Sequence, residues 1–183
     1  MAINLQKGQK VSLAKQDSAL KLTVGLGWDV SYSGSNDFDL DAHAYLLDEA
    51  GKLHSTKHHV YYANKNFKDA VIHTGDNLTG AGEGDDEQMF ISLRDIPTEI
   101  SRIRFAVKIY DAVARRQSFG QVHNAFIHID TNMDKLCQYN LTDQYSDETI
   151  MIVGEMYRHD GDWKFNAIGQ GFTSEEAFKA SMI

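Results

Sequence analysis

Apolar residues recur with a period of two along this chain, and that spacing restricts it to a β-rich fold. Leu20, Leu22, Val24 and Leu26 alternate with Lys21, Thr23 and Gly25. Phe38, Leu40, Ala42, Ala44 and Leu46 alternate with Asp39, Asp41, His43 and Tyr45. Ile103, Phe105, Val107 and Ile109 alternate with Arg104, Ala106 and Lys108. Each pattern predicts a strand with one buried and one wetter face. Further strands are expected over 59–63, 70–74, 89–93, 124–129, 136–141, 150–157 and 163–169. The last two form a hairpin, because Asp160-Gly161 supplies its turn.

Helical signals are few. Residues 111–117 have room for a turn or two. Thr173-Ser174-Glu175-Glu176 has the form of a capping box opening a short helix. Many short strands with turn signals between them predict a mainly β chain, a β-sandwich of two antiparallel sheets with a few short helices. At 183 residues, with 42% hydrophobic side chains and no Pro- or Ser-rich linker, residues 1–183 read as one domain.

One segment stands apart. Residues 75–87 hold five carboxylates (Asp76, Glu83, Asp85, Asp86, Glu87) and four glycines, with no basic residue. Glycine reaches left-handed backbone without steric cost and lets carbonyls turn inward. Carboxylates plus carbonyls are the ligands of a hard divalent cation, and calcium takes about six to eight such oxygens. Asp37, Asp39 and Asp41 add three more acids of one parity, so a straight strand points them to one face. Eight of the 26 acids lie in these two segments, and the remaining 18 equal the 18 Lys and Arg. The acidity is therefore local, which suits ion binding better than a generally acidic surface. In a sandwich these loops are expected to meet at one end. Eight carboxylates with Asn77, Thr79 and carbonyls provide for two calcium ions, since one would leave much of the charge uncompensated. The loop is no EF-hand: counted from Asp76, its third and sixth positions are Leu78 and Ala81. No phosphate-loop spacing occurs either.

The chain resembles the TerD-domain family of bacterial tellurium-resistance and stress-response proteins. The segments that carry the likeness are Gly25-Leu26-Gly27-Trp28-Asp29, Phe38-Asp39-Leu40-Asp41-Ala42 and His73-Thr74-Gly75-Asp76-Asn77-Leu78-Thr79-Gly80. They continue with Gly84-Asp85-Asp86-Glu87, Phe119-Gly120-Gln121-Val122 and Gly154-Glu155-Met156-Tyr157-Arg158, then Trp163-Lys164-Phe165 and Gly169-Gln170-Gly171. The resemblance implies a sandwich with calcium-binding loops gathered at one end, and a role in resistance to tellurite and other stresses. It carries a calcium role to Asp76, Asn77, Asp85, Asp86 and Glu87, then Asp39 and Asp41, and next Asp29, Asp37 and Glu83. It implies an adaptor or scaffold rather than an enzyme, working with other proteins of the same stress-response system. The chain departs from the family where Tyr62-Ala63-Asn64 replaces aromatic-Asn-Asn, and where Glu83 follows Ala81.

Two rivals use the same acids. A two-metal phosphoesterase needs open coordination and a phosphate-holding cation beside the carboxylates, and no Lys or Arg adjoins the loop. A calcium-modulated membrane or partner docking surface lacks a basic lipid-binding cluster, so membrane association is expected only through partners. The net charge of −8 argues against nucleic acid. The eight histidines show no zinc spacing, and no nucleophile elbow positions a serine. Arg115-Arg116 reads as a solvated loop pair, with an oxyanion such as tellurite as the alternative. Arg102, Arg104 and Lys108 read as an exposed strip with local ion pairs. With one cysteine, Cys137, no apolar leader and no apolar run of membrane-spanning length, a cytoplasmic location is expected.

Overall fold

A computed structural model describes residues 3–4, 6–13, 21–29, 38–75, 78, 84–131, 135–141 and 146–182. In chain order its strands are β1 (Ile3–Asn4), β2 (Lys10–Ser12), β3 (Lys21–Gly27), β4 (Leu40–Leu47), β5 (His59–Val60), β6 (Asn66–Phe67), β7 (Val71–His73) and β8 (Glu87–Ser92). There follow β9 (Arg102–Ile109), β10 (Phe126–Thr131), β11 (Lys135–Asn140), β12 (Ile150–His159) and β13 (Asp162–Phe172). Two short helices, α1 (Ala112–Arg115) and α2 (Glu175–Ala180), complete the described elements together with two single turns of 3₁₀-helix.

The strands form two sheets. One has seven strands in the order β1-β11-β10-β3-β8-β7-β6, the other six in the order β2-β13-β12-β9-β4-β5. Every strand pairing is antiparallel except that of two-residue β1 with β11. The alternating apolar sets do what their period demands. Leu22, Val24 and Leu26 of β3, Met89 and Ile91 of β8, and Ile127 and Ile129 of β10 face Leu40, Ala42, Ala44 and Leu46 of β4 and Ile103, Phe105 and Val107 of β9 in one core.

The six-stranded sheet also has a second, smaller core on its outer face. Tyr45, Leu47, Ala106, Ile150, Ile152 and Phe172 lie under Phe178 of α2. The sequence predicts a wetter face for β4, and the structure corrects this: all eight of its residues are buried. Helix α2 and the rings stacked beside it cover the polar-looking side. The cap of α2 also differs from expectation. Ser174, not Thr173, accepts the first-turn N–H, from Ala177 at 3.2 Å.

A bulge explains one irregular pattern. The register of β12 shifts between Ile152 and Gly154 against both neighbours. Before it, Met151 and Val153 face the main core; after it, Met156 does. The shift turns Glu155 to the outer face, where it pairs with Arg102 at 3.0 Å and Arg104 at 3.2 Å. The expected strand over 59–63 stops at Val60, where Tyr61 and Asn64 close a tight bridge. The predicted hairpin is present, with Asp160 and Gly161 both at positive φ between β12 and β13.

Candidate functional site

The acidic segment that precedes β8 is anchored by a tryptophan. Glu87 pairs with Leu26 in the β3–β8 ladder, and Asp86 N–H extends it to the Leu26 carbonyl at 2.8 Å. Trp28 follows β3 and is 4% exposed. Its backbone N–H donates to Asp86 Oδ2 at 3.0 Å, and its indole Nε1–H donates to the Phe38 carbonyl at 3.0 Å. Trp28 thus ties Asp86, just before β8, to the entry of β4 in the opposite sheet, through its backbone on one side and its indole on the other. Residues 76–77, 79–83 and 30–37, which carry the rest of the expected convergence, lie outside the described residues.

Glu87 makes the second tie. Strand β5 pairs with Ala44 and Tyr45, so among the described residues the earlier part of that β4 edge has no strand beside it. Glu87 is 2% exposed, and its Oε2 accepts the Ala42 N–H at 2.7 Å. His73 Nε2 lies 3.4 Å from the same oxygen. A carboxylate buried between the sheets in this way is held by a backbone donor and an imidazole.

Asp85 goes to the outer face of the seven-stranded sheet. It lies over Gly25, accepts from Gln88 Nε2 at 2.9 Å and meets His128 Nε2 at 2.6 Å. A Cβ on Gly25 would collide with the Asp85 carboxylate and lie 2.5 Å from His128 Nε2. Glycine there makes room for the pair. The other nitrogen of His128, Nδ1, is 2.9 Å from Asp130 Oδ1. Burial opposes charge on both partners, but the mutual hydrogen bond and opposite charges outweigh it. The Asp85 carboxyl is held below its usual range and His128 above its own. Asp86 moves the other way. Burial raises it first, the Trp28 N–H lowers it, and the negative charges of Asp85 and Asp29 raise it further.

The remaining described acids are spread around this end. Asp29 is exposed and accepts from Asn124 Nδ2 at 2.6 Å. Asp39 and Asp41, each 4% exposed, share the outer-facing parity of β4 with His43 and Tyr45. Asp39 Oδ2 is 4.0 Å from Arg115 Nη1, and Asp41 lines a cavity on the outer face of the six-stranded sheet. Asp37, Asp76, Asn77 and Glu83 lie outside the described residues. Among the described residues, no group of three or more His, Cys, Asp and Glu side chains is arranged to hold a metal ion. The fit to calcium is therefore partial: like charges crowd Asp86, while Asp85 and Glu87 also have histidines against them.

Sequence reasoning missed the strongest aromatic feature. His43 and Tyr45 of β4 stack with His59 and Tyr61 beside β5, with ring planes within 21° of parallel and centroids 4.2–6.1 Å apart. His43 Nδ1 and His59 Nε2 are 2.8 Å apart. Burial first, then the positive charge of Lys108, pushes both rings below their ordinary value, His59 to about 4. Both are therefore neutral at pH 7. The shared parity of Asp41, His43 and Tyr45 was the available signal, read instead as a solvated face. The expected ion pairs of the basic strip are present, with Lys108 Nζ 2.6 Å from Glu175 Oε1. Cys137 is buried, which pushes its thiol up to about 12 and leaves it inert. Among the described residues, no helix is long and apolar enough to cross a membrane.

Comparison with known proteins matches this architecture to recognised relatives. Residues 1–178 match the TerD domain. The chain is 50% identical over 178 residues to general stress protein 16U of Bacillus subtilis, covering 94% of this chain and 92% of that protein. It is 49% identical over 176 residues to tellurium resistance protein TerD of Serratia marcescens, with the same coverage. The fold superposes with a TM-score of 0.75 on the crystal structure of a telluride resistance protein homologue from Streptomyces coelicolor A3(2). That match is 21% identical and covers 87% of this chain and 94% of the other.

Proposed function

Given that this chain belongs to the TerD domain family of tellurium-resistance and stress-response proteins, we propose that it acts as a calcium-dependent, non-catalytic adaptor within such a response. The observation that carries the reading is the pair of hydrogen bonds donated by Trp28, from its backbone N–H to Asp86 and from its indole to the Phe38 carbonyl. It sets the acidic segment before β8 beside the acidic entry of β4. Asp86 and Glu87 then supply the described part of a ligand shell, with Asp85, Asp39, Asp41 and Asp29 around it. Asp76, Asn77, Asp37 and Glu83 complete the set on the sequence pattern. Hard oxygen donors of this kind suit calcium, and two ions would balance the acid count.

Calcium would neutralise Asp86, whose carboxyl is raised first by burial and then by the charges of Asp85 and Asp29, and so stabilise the folded state by binding it preferentially. The apposed loops would then form one surface for other proteins of the same stress-response system. Hydrolysis is the second reading, and the same carboxylates favour it only if a substrate cation clamp exists nearby. Among the described basic groups, Arg115 Nη1 lies 4.0 Å from Asp39 Oδ2, while Arg102 and Arg104 pair with Glu155 and Lys108 with Glu175.

The test is thermal melting of Asp76→Ala and Asp86→Ala with calcium and with chelator. Both variants should lose much of the calcium-dependent rise in melting temperature shown by the unaltered protein. An unchanged rise in both would remove these residues from the site.

A further inference from the structure

The residues just before β8 lie in a trough on the outer face of the seven-stranded sheet. Gly25 and Gly27 of β3 stand in register with His128 and Phe126 of β10, whose rings stack with centroids 5.9 Å apart. On its other side Gly25 pairs with Gln88 of β8. A Cβ on Gly27 would lie 2.6 Å from Phe126 Cζ and 3.2 Å from the Gly84 carbonyl oxygen, and one on Gly25 would strike Asp85 and His128. Glycine at both positions leaves space that the two rings and residues 84–85 fill.

Asp85 uses that space to bridge the strands on either side of β3. Its Oδ1 accepts from His128 Nε2 at 2.6 Å, and its Oδ2 accepts from Gln88 Nε2 at 2.9 Å. An ionised carboxylate has no proton to give, so the imidazole carries its hydrogen on Nε2. The side chains of Asp85 and His128 are 10% and 5% exposed. Both carboxylate oxygens are therefore committed to the sheet. The next residue depends on this placement, since successive Cα atoms are about 3.8 Å apart. Asp86 donates its N–H to the Leu26 carbonyl at 2.8 Å and accepts the Trp28 N–H at 3.0 Å. On the other side of Asp85 the chain turns through Gly84, at φ 97°.

We propose that Asp85 is an anchor of the acidic segment and not one of its calcium ligands, and that His128 is the positioning residue that holds it. Through Asp85, His128 sets Asp86 against β3 and Trp28 before any ion arrives. A segment fixed at one end loses less freedom when its remaining carboxylates close on a cation. The effect on ion binding rests on the calcium reading proposed above, whereas the anchoring does not.

Amide hydrogen exchange of the full chain in chelator, followed by NMR, tests the anchor. In His128→Phe the Asp86 and Trp28 amides should exchange about tenfold faster or more, while the amides of β9 and β12 keep their rates. His128→Gln returns an N–H donor near the place of Nε2 and should bring both amides back to within about threefold of the unaltered protein. If His128→Phe fails to fold, Asp85→Ala against Asp85→Asn makes the same comparison, because asparagine still accepts from His128. Unchanged exchange in folded His128→Phe or Asp85→Ala, or equal acceleration in His128→Gln, would overturn the anchor. Calcium titration tests the other half. Asp85→Asn should bind within about threefold of the unaltered protein and His128→Phe about tenfold more weakly, both at unchanged stoichiometry. A loss of about tenfold or more in Asp85→Asn with normal exchange would make Asp85 a ligand and overturn the assignment. If the unaltered chain takes up no calcium, the calcium reading fails and the exchange rates alone decide the anchor.

Discussion

On the outer face of the seven-stranded sheet, His128 lies between two carboxylates, 2.6 Å from Asp85 and 2.9 Å from Asp130. On the outer face of the six-stranded sheet, His43 has, among the described residues, another neutral histidine within hydrogen-bonding reach, with tyrosine rings stacked alongside. Both imidazoles are nearly fully buried. Burial pushes each toward neutrality, and only the neighbours differ. Carboxylates overcome burial at His128 and raise it above its ordinary value, whereas Lys108 adds to burial at His43 and lowers it well below. The acidic end of the molecule thus uses its own imidazoles to hold carboxylates in place. The opposite face keeps a neutral polar atom unused within an aromatic cavity.

The largest expected effect comes from cutting the link between the sheets at the acidic end. Glu87→Ala would strand the Ala42 N–H and His73 between the sheets. We expect a loss of about 3 kcal/mol or more, read from urea unfolding, because the Ala42 N–H is left buried and unsatisfied and the missing side chain leaves a cavity. A loss below about 1 kcal/mol would show that Glu87 is not holding the sheets together.

Gly25→Ala attacks the histidine–carboxylate side directly. The added methyl occupies the space of the Asp85–His128 pair. A destabilisation of about 1–3 kcal/mol is expected from forced displacement of well-packed groups. Loss of the downfield His128 ring signal in NMR should accompany it. Retention of that signal with full stability would break the comparison.

The pH dependence separates the two faces by sign. His59 has a folded value of about 4, below the ordinary 6.5. As pH falls through 6.5 the unfolded chain takes up a proton that the folded chain refuses. Stability is therefore lost between pH 6.5 and about 4, by up to about 1.4 kcal/mol per pH unit for this one group. His43 is shifted in the same direction. His128 is raised, so its contribution is complete below 6.5 and is lost as pH rises through its folded value. Unfolding measured in chelator at several pH values should show a shallower acid slope in His59→Phe. It should show a flatter neutral-to-alkaline slope in His128→Gln. Identical slopes in the variants and the unaltered protein would refute the assignment.

The smallest effect is expected at Lys108–Glu175. Half of Glu175 is solvent-exposed, so Glu175→Gln should cost no more than about 1 kcal/mol. A much larger loss would mean that this pair, and not Phe178, fastens α2 to the sheet.

The strands were legible because their period matches burial on the core side. Leu22, Val24, Leu26 and their partners needed only alternation to be placed. What alternation could not reveal was cover on the far side. Asp41, His43 and Tyr45 look like a wet face, yet all three are buried, Tyr45 under Phe178 of the distant helix α2 and His43 under the rings beside β5. The bulge at Ile152/Gly154 was hidden for a similar reason. A shift of one residue exchanges faces mid-strand, and Gly154 alone does not say where. At the acidic end, composition identified Asp85, Asp86 and Glu87, and the tie through Trp28 brings Asp86 beside the β4 entry. Composition gave no hint that three consecutive acids would part company. Asp85 turns to His128, Asp86 to the Trp28 N–H and Glu87 to Ala42, because β8 begins there and alternation separates neighbours.

The most direct test of the calcium account is calorimetric titration of calcium into chelator-stripped protein, with magnesium as the control. About two equivalents bound, with clear selectivity over magnesium, is the predicted result for oxygen-rich loops of this charge. Absence of calcium binding, or equal response to both ions, would contradict it and leave the acids at this end with a purely structural role.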